Sequence, residues 1–335
     1  MVYVTGATGL IGSFLLLELS KRGKTIRAMK RKGSSVESVK NLFKEFSDLE
    51  KFEKIEWVET DLLDIPSLSE TLKNVETIYH TAASVGFDDR FRKNIHDVNV
   101  TGTENLVNLA IVEQVKNLVY ISSVAVLDKT PESRVINEES GWDSEQIHSE
   151  YAISKKKGEM TVWRSSQEGL NVLIVHPSVV IGSLDGSRAS EKIFELAGRK
   201  KAYASKGLTG YVDVRDVVFC MAELVERKLF QQSFVLTSED KSFLEVFDFL
   251  RKRWKLGKTH VLSEKKLKFV RLLSQISRVF GGRYMSNSSY RALTGKSIYS
   301  NQKIKNALGI EFHSIEDALI FHGDRYLENK SKSKK

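Results

Sequence analysis

The sequence predicts an α/β protein built on a doubly wound parallel sheet of the Rossmann type, with a smaller C-terminal lobe. Short runs of β-branched and aliphatic residues alternate with helical patterns through the first half of the chain, which is typical of parallel strands joined by helices. With 335 residues, of which 41% are hydrophobic and 28% charged, the chain can bury a large core.

The predicted elements follow one another as strand, helix, strand. Apolar residues at three- and four-residue spacing predict the helices. The predicted strands are residues 2–5, 25–28, 55–58, 77–80, 117–121 and 172–175. The predicted helices are residues 10–21, 66–72, 94–113 and 150–168, followed in the second half by 242–253 and 264–280.

A glycine-rich loop joins the first predicted strand to the first helix, with three glycines at three-residue intervals. Without Cβ atoms the loop can turn tightly, bring backbone amides against a pyrophosphate and pack the helix close to the sheet, while the helix N-terminus favours negative charge. The loop therefore predicts a dinucleotide site, although its spacing differs from the G-x-G-x-x-G fingerprint. Its candidate cofactor-binding residues are Gly6, Thr8, Gly9, Leu10, Ile11 and Gly12.

The end of the second predicted strand bears on the choice of cofactor. An Asp or Glu there would pair with the 2′-hydroxyl of NAD, but the residues that follow Met29 are Lys30, Arg31 and Lys32. Lys30 and Arg31 can instead neutralise a 2′-phosphate through charge-assisted hydrogen bonds. We therefore expect NADP(H) in preference to NAD(H), unless these cations form only a solvated loop.

Tyr151 and Lys155 are four residues apart on a predicted helix, which places both side chains on one face. A phenol with a pKa of about 10 needs a nearby cation to act as an acid or base at neutral pH, and Lys155 can provide it. Ser122 and Ser123 directly follow the strand 117–121, at the edge of the sheet where ligands bind. A serine there can hydrogen-bond a carbonyl oxygen as its charge changes.

Together with the glycine-rich loop, these residues resemble the extended short-chain dehydrogenase/reductase superfamily, the NAD-dependent epimerase/dehydratase family, over nearly the whole chain. Five further segments match in the order of that family. They are Asp61 and Leu62, His80 to Ala83, Asn99 to Thr103, His176 to Val180, and Tyr211 to Asp216.

The resemblance implies a role for each matched residue. Tyr151 exchanges a proton with the substrate oxygen, Lys155 holds the ribose hydroxyls and tunes Tyr151, and Ser123 is the catalytic serine. Asn99 helps to organise its helix and a proton-relay water. Around the cofactor, Asp61 and Leu62 border the adenine, Thr81, Ala82 and Ala83 line the ribose and nicotinamide, and Pro177, Ser178 and Val179 flank the nicotinamide.

Two departures from the family pattern bear on the type of reaction. His176 stands where many relatives have Arg before the proline, and Leu127 and Asp128 replace the Tyr-Gly pair of sugar-nucleotide epimerases. With the basic end of the second strand, they make the chain look more like the dihydroflavonol-reductase and 3-beta-hydroxysteroid-dehydrogenase branches. His176 is either a pH-sensitive group or, as we favour, a hydrogen-bonded packing residue.

These observations predict an NADP(H)-dependent oxidoreductase that interconverts a carbonyl and a secondary alcohol on a mainly apolar small molecule, by hydride transfer with a tyrosine as acid and base. A nucleotide-sugar epimerase or dehydratase with retained NAD is the enzymatic alternative. A dinucleotide-binding sensor without catalysis is a third hypothesis, which the presence of both Tyr151 and Lys155 disfavours.

Beyond about residue 180 the alternation loosens into loops that contain Gly and Ser. We expect residues 1–180 to form the dinucleotide-binding domain and residues 181–330 to form mainly a substrate-binding lobe, with some segments returning to the core and a basic tail at 331–335. The loops expected to set substrate choice are residues 84–92, 128–147 and 183–210.

The net charge of +9 resides in the C-terminal part, since residues 241–335 carry 21 Lys and Arg against 8 Asp and Glu. The basic amphipathic segment 264–280 is either a lobe helix, which we favour, or a peripheral contact with anionic lipid. The charge comes without a nucleic-acid recognition motif, so we expect a small-molecule substrate and no specific nucleic acid partner. Only the resemblance implies a homodimer, through the helices 94–113 and 150–168.

The remaining expectations concern metals and location. The single cysteine, Cys220, lies in an apolar stretch and is expected to be buried, and the seven scattered His residues lack metal-ligand spacing, so we expect no metal site. Apolar runs stay well short of the roughly 20 residues of a membrane-spanning helix. The first residues lack a basic stretch and a cleavage site, so we expect a cytoplasmic protein without a signal peptide.

Overall fold

The structure is a computed structural model that describes residues 1–85, 92–129, 133–186, 191–279 and 287–332. It confirms the predicted fold class, because seven parallel strands form a central sheet with helices on both faces. Parts of the three predicted substrate loops and of the basic tail lie outside the described residues.

The described strands and helices are numbered in chain order. The strands are β1 (Val2–Thr5), β2 (Ile26–Lys30), β3 (Glu56–Glu59), β4 (Thr77–His80), β5 (Asn117–Ile121), β6 (Val135–Ile136), β7 (Asn171–Pro177), β8 (Val179–Ile181), β9 (Tyr203–Ser205), β10 (Leu208–Asp213), β11 (Gln232–Leu236), β12 (Glu239–Ser242), β13 (His260–Leu262) and β14 (Ile298–Tyr299). The helices are α1 (Leu10–Lys21), α2 (Glu37–Glu45), α3 (Leu49–Phe52), α4 (Ile65–Leu72), α5 (Arg92–His96), α6 (Gly102–Val112), α7 (Glu150–Ser166), α8 (Lys192–Ala197), α9 (Val214–Glu226), α10 (Phe243–Arg253), α11 (Glu264–Val279), α12 (Asn287–Thr294), α13 (Gln302–Leu308) and α14 (Ile315–Lys332).

The strand order of the central sheet is β11-β7-β5-β4-β1-β2-β3. The chain adds strands on one side of β1 as far as β3, and then returns to add β4, β5, β7 and β11 on the other side. Thr5 at the end of β1 pairs with His80 at the end of β4. Ligands bind in sheets of this kind at the carboxyl ends of the strands, where the strand order reverses. The fold therefore places the candidate site at the ends of β1 and β4.

Two buried cores cover the two faces of the sheet, and β5 contributes to both. Val119 and Ile121 pack with α1 and α9 on one face, whereas Leu118 and Tyr120 pack with α4, α6 and α7 on the other. Successive side chains of a strand point to opposite faces, so a strand buried on both sides needs a continuous apolar run. This is the pattern that made the strands recognisable in the sequence.

Part of the chain beyond residue 180 completes the central sheet. β11 pairs in parallel with β7, and α9 packs in the same core as α1. The rest forms a lobe in which the sheet β12-β10-β8 packs with α8, α10 and α14 around Phe194, Phe247 and Tyr326. A domain boundary at residue 180 stays a prediction.

The predicted helix 94–113 is interrupted in the structure. A π-helical turn, Asp97–Thr101, lies between α5 and α6. A π turn inserts an extra residue into a helix and is frequent at functional sites. Here it carries Asn99, and the α-helix resumes at Gly102, where a Cβ would lie 2.9 Å from the Cβ of Leu62. Close packing of α6 on the segment after β3 thus fixes the position of the turn.

Three other expectations concern single features. Cys220 is buried in α9, as predicted. Helix α11 covers the segment 264–279, with Leu267 buried and Phe269 and Val270 exposed, and its contact with lipid stays a prediction. Within the described ranges, no helix is both long and apolar enough to cross a membrane.

Candidate active site

The glycine-rich loop is held against the end of β4. Gly6 has a φ of 64°, in the left-handed region that favours glycine. A Cβ on Gly6 would lie 2.6 Å from the backbone nitrogen of Ala82, so a residue with a side chain could not approach β4 this closely. Ala82 consequently lies directly beside the loop, in the candidate site at the ends of β1 and β4.

The first turn of α1 presents backbone amides to a ligand. Its N-cap is Gly9, which has no side chain to cap the helix, and the first intrahelical hydrogen bond runs from the Ser13 amide to the Gly9 carbonyl. The amides of Leu10, Ile11 and Gly12 precede that bond and are available to a ligand. Together with the helix dipole, they form a site that suits a pyrophosphate.

A chain of buried hydrogen bonds joins the ends of β1 and β4 to the π turn. His80 Nδ1 lies 2.7 Å from the Thr5 hydroxyl, and His80 Nε2 lies 3.0 Å from the Thr103 hydroxyl. Thr103 donates its hydroxyl proton to the Asn99 carbonyl, so the Thr103 oxygen must accept the proton on His80 Nε2. His80 Nδ1 is then an acceptor, and it receives the Thr5 hydroxyl proton, while the Thr5 oxygen accepts the Ala82 amide proton. Burial lowers the pKa of His80 to about 3. The ring is therefore neutral and serves as a fixed connection.

The other cofactor residues predicted after β4 lie beside this chain. Thr81 donates its hydroxyl proton to the Thr5 carbonyl over 2.7 Å, and Ala83 is exposed. Toward the β11 edge of the sheet, Pro177 ends β7. Ser178 is buried, and its amide donates to the Leu236 carbonyl. Val179 is 37% exposed. Ala83 and Val179 thus have exposed side chains in the two segments predicted to border the nicotinamide.

Asn99 connects the segment after β4 to helix α7. Its Nδ2 donates to the Ser84 carbonyl and to the Ser154 hydroxyl, and its Oδ1 accepts the Ser84 amide proton, over distances of 2.7 to 3.0 Å. Asn99 is 1% exposed, so these bonds satisfy a fully buried amide. They organise the helix that carries Tyr151 and Lys155, whereas a role with a relay water stays a prediction.

Ser123 and Tyr151 meet at the carboxyl edge of the sheet, where the Ser123 hydroxyl lies within hydrogen-bonding reach of the phenol. Ser123 directly follows β5 and accepts the Ala125 amide proton, which caps a short 3₁₀ turn. Helix α7 is capped by Ser149, whose hydroxyl accepts the amide proton of Ala152. The first cap fixes the Ser123 side chain and the second fixes the start of α7, and together they bring Ser123 and Tyr151 near each other.

The sequence predicted that Lys155 would lower the pKa of Tyr151, and the structure does not show this. Burial raises the pKa of Tyr151, and the contact with Ser123 offsets only part of the rise. The Lys155 ammonium instead lies 4.2 Å from the centroid of the Tyr120 ring. Burial lowers the pKa of Lys155 itself to about 7, although the negative charge of Glu159 acts to raise it. Burial therefore makes the ammonium form of Lys155 less stable than that of an exposed lysine.

Sequence reasoning missed Glu159, which is buried four residues after Lys155. Its Oε2 accepts the Ser122 hydroxyl proton over 2.6 Å and lies 2.9 Å from His176 Nε2. His176 is 1% exposed and hydrogen-bonded, in agreement with the packing role that we favoured. The signal for Glu159 was the spacing, because Tyr151, Lys155 and Glu159 recur at intervals of four residues.

A cavity of about 470 Å³ lies between the segments after β2 and β3. Its lining residues are Arg31, Lys32, Gly33, Ser34, Glu59, Thr60, Asp61, Asp64 and Ser67. Arg31 and Lys32 are exposed, but Lys30 has its ammonium 3.4 Å from Glu59. Leu62, predicted to border the adenine, is buried against Gly102 instead of lining the cavity. Of the two residues predicted after β3, Asp61 therefore faces this space.

The described residues fit a dinucleotide. The cavity after β2 and β3 accommodates an adenosine end, the amides at the start of α1 suit a pyrophosphate, and Ser123 and Tyr151 lie at the opposite end of the crevice. Gly6 and Gly12 let the loop pack closely, Gly6 against the backbone of Ala82 and Gly12 against the carbonyl of Gly6. A dinucleotide bound along these features would have its nicotinamide end near the phenol.

Comparisons with known proteins identify the family of the chain. The profile of the NAD dependent epimerase/dehydratase family matches residues 2–234. Sterol demethylase protein B of Methylococcus capsulatus is 30% identical over 250 residues, which make up 74% of this chain and 72% of that protein. A bifunctional dihydroflavonol 4-reductase/flavanone 4-reductase of Malus domestica is 26% identical over 268 residues, 76% of each chain. The crystal structure of gox2253 has a TM-score of 0.82 at 24% identity over 98% of both chains, a likeness of fold alone.

Substituting Gly12→Ala should abolish dinucleotide binding, because the new Cβ would overlap the carbonyl oxygen of Gly6 and displace the loop. Overpacking of this kind also costs about 1–3 kcal/mol of stability. Calorimetric titration with NADPH and NADH, beside urea denaturation, measures both effects. Gly141→Ala is the control, since among the described residues nothing lies within 4 Å of its added Cβ. Normal binding by Gly12→Ala would contradict the assignment of the loop.

The buried Lys155 predicts a stability that depends on pH. Its folded-state pKa of about 7 lies below the unfolded value of about 10.4, so the unfolded chain binds more protons between these values and stability rises with pH across them. Lys155→Met should therefore be more stable than the wild type at pH below 7, with a difference that shrinks toward pH 10. Urea denaturation over this range checks it. The exposed Lys157→Met on the same helix is the control, and a difference independent of pH would refute the prediction.

Proposed function

The chain belongs to the NAD dependent epimerase/dehydratase family of extended short-chain dehydrogenases/reductases and is an NAD(P)-dependent oxidoreductase, and we propose that its reductant is NADPH. The proposed reaction is reduction of a ketone or aldehyde on a mainly apolar small molecule, or the reverse oxidation of a secondary alcohol. The observation that carries the proposal is the contact between Ser123 and Tyr151 at the ligand-binding edge of the sheet. Two hydroxyls that converge there suit one carbonyl oxygen.

The chemistry divides between cofactor and protein. Bound NADPH supplies the hydride. Tyr151 donates its phenolic proton to the carbonyl oxygen, and the raised pKa of Tyr151 keeps that proton in place at neutral pH until it is needed. Ser123 donates a hydrogen bond to the same oxygen as negative charge develops on it. Since the Lys155 ammonium lies over the Tyr120 ring, we assign it the role that the resemblance implies toward the ribose hydroxyls of the cofactor, rather than stabilisation of the Tyr151 phenolate.

The preference for NADPH is supported by the charges around the cavity after β2 and β3. Arg31 and Lys32 line it and are exposed. Its carboxylates have other partners: Asp61 accepts the Leu63 amide proton, Asp64 accepts the Ser67 amide proton, and Glu59 faces Lys30. A 2′-phosphate would meet these two exposed cations, and Arg31 could bind it in a bidentate manner.

An apolar substrate is supported by exposed aliphatic side chains in segments that adjoin the candidate site residues in sequence. Ile147 lies four residues before Tyr151, Val85 follows the Ser84 that Asn99 holds, and Val179 lies in the segment predicted to border the nicotinamide. Their exposures are 52%, 51% and 37%. Exposed aliphatic residues beside a polar catalytic group are typical of sites for apolar ligands. Two of the relatives are likewise named for ring compounds, a sterol and a dihydroflavonol.

Removing the phenolic proton tests the mechanism. Tyr151→Phe should lower kcat by about 10²–10⁴-fold while leaving the Kd for NADPH unchanged, because it deletes the acid but keeps the ring. Consumption of NADPH over a panel of hydrophobic ketones and aldehydes gives kcat, and calorimetry gives Kd. The control is Tyr203→Phe, a half-exposed tyrosine of the lobe. Full turnover by a Tyr151→Phe protein that binds NADPH would exclude the mechanism.

The choice of cofactor is tested at Arg31. Arg31→Ala should weaken NADPH binding by about tenfold or more and leave NADH binding nearly unchanged, because it removes charge-assisted hydrogen bonds to the 2′-phosphate alone. Lys30→Ala is the matched variant, and its effect should be smaller because Glu59 already pairs with Lys30. Titrations with both cofactors measure this. An equal loss for NADPH and NADH in Arg31→Ala would argue against recognition of a 2′-phosphate.

A further inference from the structure

The ring of Tyr120 lies under the ammonium of Lys155, between β5 and α7. Lys155 Nζ is 4.2 Å from the ring centroid, over the face of the ring. Both residues are buried, with exposures of 2% for Lys155 and 0% for Tyr120. The face of an aromatic ring carries negative charge and attracts a cation within about 6 Å of its centroid, more strongly where water is excluded. The contact therefore stabilises the ammonium form of the lysine.

Polar partners of this ammonium are lacking in the described part of the chain, where Lys155 Nζ has neither a hydrogen bond nor an ion pair. A buried charge without such partners is costly, and burial lowers the pKa of Lys155 to about 7. Among the described residues, the Tyr120 ring is thus the direct contact that favours the charged form of this side chain.

The packing of α7 on β5 fixes the ring of Tyr120. The side chain lies in the core covered by α4, α6 and α7, with its ring centroid 5.6 Å from that of His80. The Tyr120 hydroxyl is 3.5 Å from the Lys155 carbonyl oxygen. A Cβ on Gly158 would lie 2.5 Å from the same hydroxyl. Glycine inside a helix is destabilising, and at this position it lets α7 approach Tyr120 closely enough for the contact.

The contact also sets the direction in which the ammonium can donate. A ring on one side of Nζ leaves the N–H groups on the other side for hydrogen bonds. Tyr120 lies one residue before the carboxyl end of β5, and Lys155 lies one helical turn after Tyr151. Since ligands bind at the carboxyl ends of the strands, the contact places these donors beside the candidate site.

We propose that Tyr120 is a positioning residue, whose ring holds the Lys155 ammonium against β5 and so presents its remaining N–H donors to the ribose hydroxyls of a bound dinucleotide. The second part rests on the function proposed above, where Lys155 is assigned to the ribose. The first part concerns the protein alone and can be measured without cofactor or substrate.

The titratable groups around the ammonium and the ring come from three elements. They are His80 on β4, Tyr120 on β5, and Tyr151 and Glu159 on α7. Burial raises the pKa of both tyrosines and lowers the pKa of His80 to about 3, so these three groups are neutral at pH 7. Glu159 is present in every variant below. Differences between variants at position 120 therefore report on the ring.

The first measurement is the NMR resonance of the Lys155 ε-methylene in the full-length protein with ¹³Cε-labelled lysine, assigned by its loss in Lys155→Met. Ring current moves protons that lie over an aromatic face upfield. Tyr120→Phe keeps the ring and should keep the upfield position of the Lys155 Hε signal, whereas Tyr120→Leu should lose it. The control is Tyr79→Leu, a buried tyrosine on the opposite face of the sheet. The same upfield signal in Tyr120→Leu would overturn the proposal.

A graded series tests the attraction and covers the case in which Tyr120→Leu fails to fold. Phenylalanines that carry one, two or three ring fluorines have nearly the same shape as phenylalanine, but each fluorine withdraws negative charge from the ring face. Introduced at position 120, they should lower the pH midpoint of the Lys155 resonance stepwise, by about one pH unit in total relative to Tyr120→Phe. A midpoint that stays constant along the series overturns the proposal.

The role toward the ribose is measured separately on the same series. The Kd for NADPH, from calorimetry, should rise stepwise as the Lys155 midpoint falls. A falling midpoint with a constant Kd would support the contact between Tyr120 and Lys155 and overturn its role in binding the ribose. Neither measurement needs turnover, so failure of carbonyl reduction, which would count against the proposed function, leaves both results interpretable.

Discussion

The close approach of the loop after β1 to the end of β4 is the constraint on which the rest of the site depends. It requires glycine at position 6, because a Cβ there would overlap the backbone of Ala82. The neutral His80 fixes the same junction through Thr5 and Thr103, and the chain of bonds continues to Asn99. Since Asn99 in turn holds helix α7, the position of Tyr151 relative to the cofactor crevice is set by contacts that begin at β1. Each donor in this buried chain meets an acceptor, which makes it rigid.

The charges in the site are set by burial and by hydrogen-bond partners. The buried His80 is kept neutral by burial, which lowers its pKa to about 3, and by the geometry of its two hydrogen bonds. Besides the phenol, helix α7 carries a lysine whose pKa is lowered to about 7 by burial. It also carries Glu159, whose pKa burial would raise but hydrogen bonds from His176 and Ser122, with attraction to His176, lower to about 2. A lysine with such a pKa responds strongly to one neighbouring charge.

The parts of the fold that are local in sequence could be predicted, and the parts that depend on packing could not. β1, β4 and β5 match their predicted bounds, because strands buried on both faces read as apolar runs. The π turn at Asp97–Thr101 follows from contact with the segment after β3, which no periodicity reveals. In the site, the spacing that puts Tyr151 and Lys155 on one helix could be read from the sequence. The pairing of Lys30 with Glu59, the inward turn of Leu62 and the pKa of Tyr151 could not, because they depend on cross-strand neighbours and burial. Glu159 left a trace in its spacing alone.

The claim that the protein is a reductase with an exchangeable cofactor is tested most directly by identifying the dinucleotide that the wild-type protein retains through purification, by mass spectrometry, and titrating the protein with NADPH and NADH. Little retained dinucleotide, with NADPH bound more tightly than NADH, is the result that the site predicts. Stoichiometric NAD carried through purification, with no net consumption of added NADPH, would contradict it and would identify an enzyme that oxidises and restores its substrate, as nucleotide-sugar epimerases and dehydratases do.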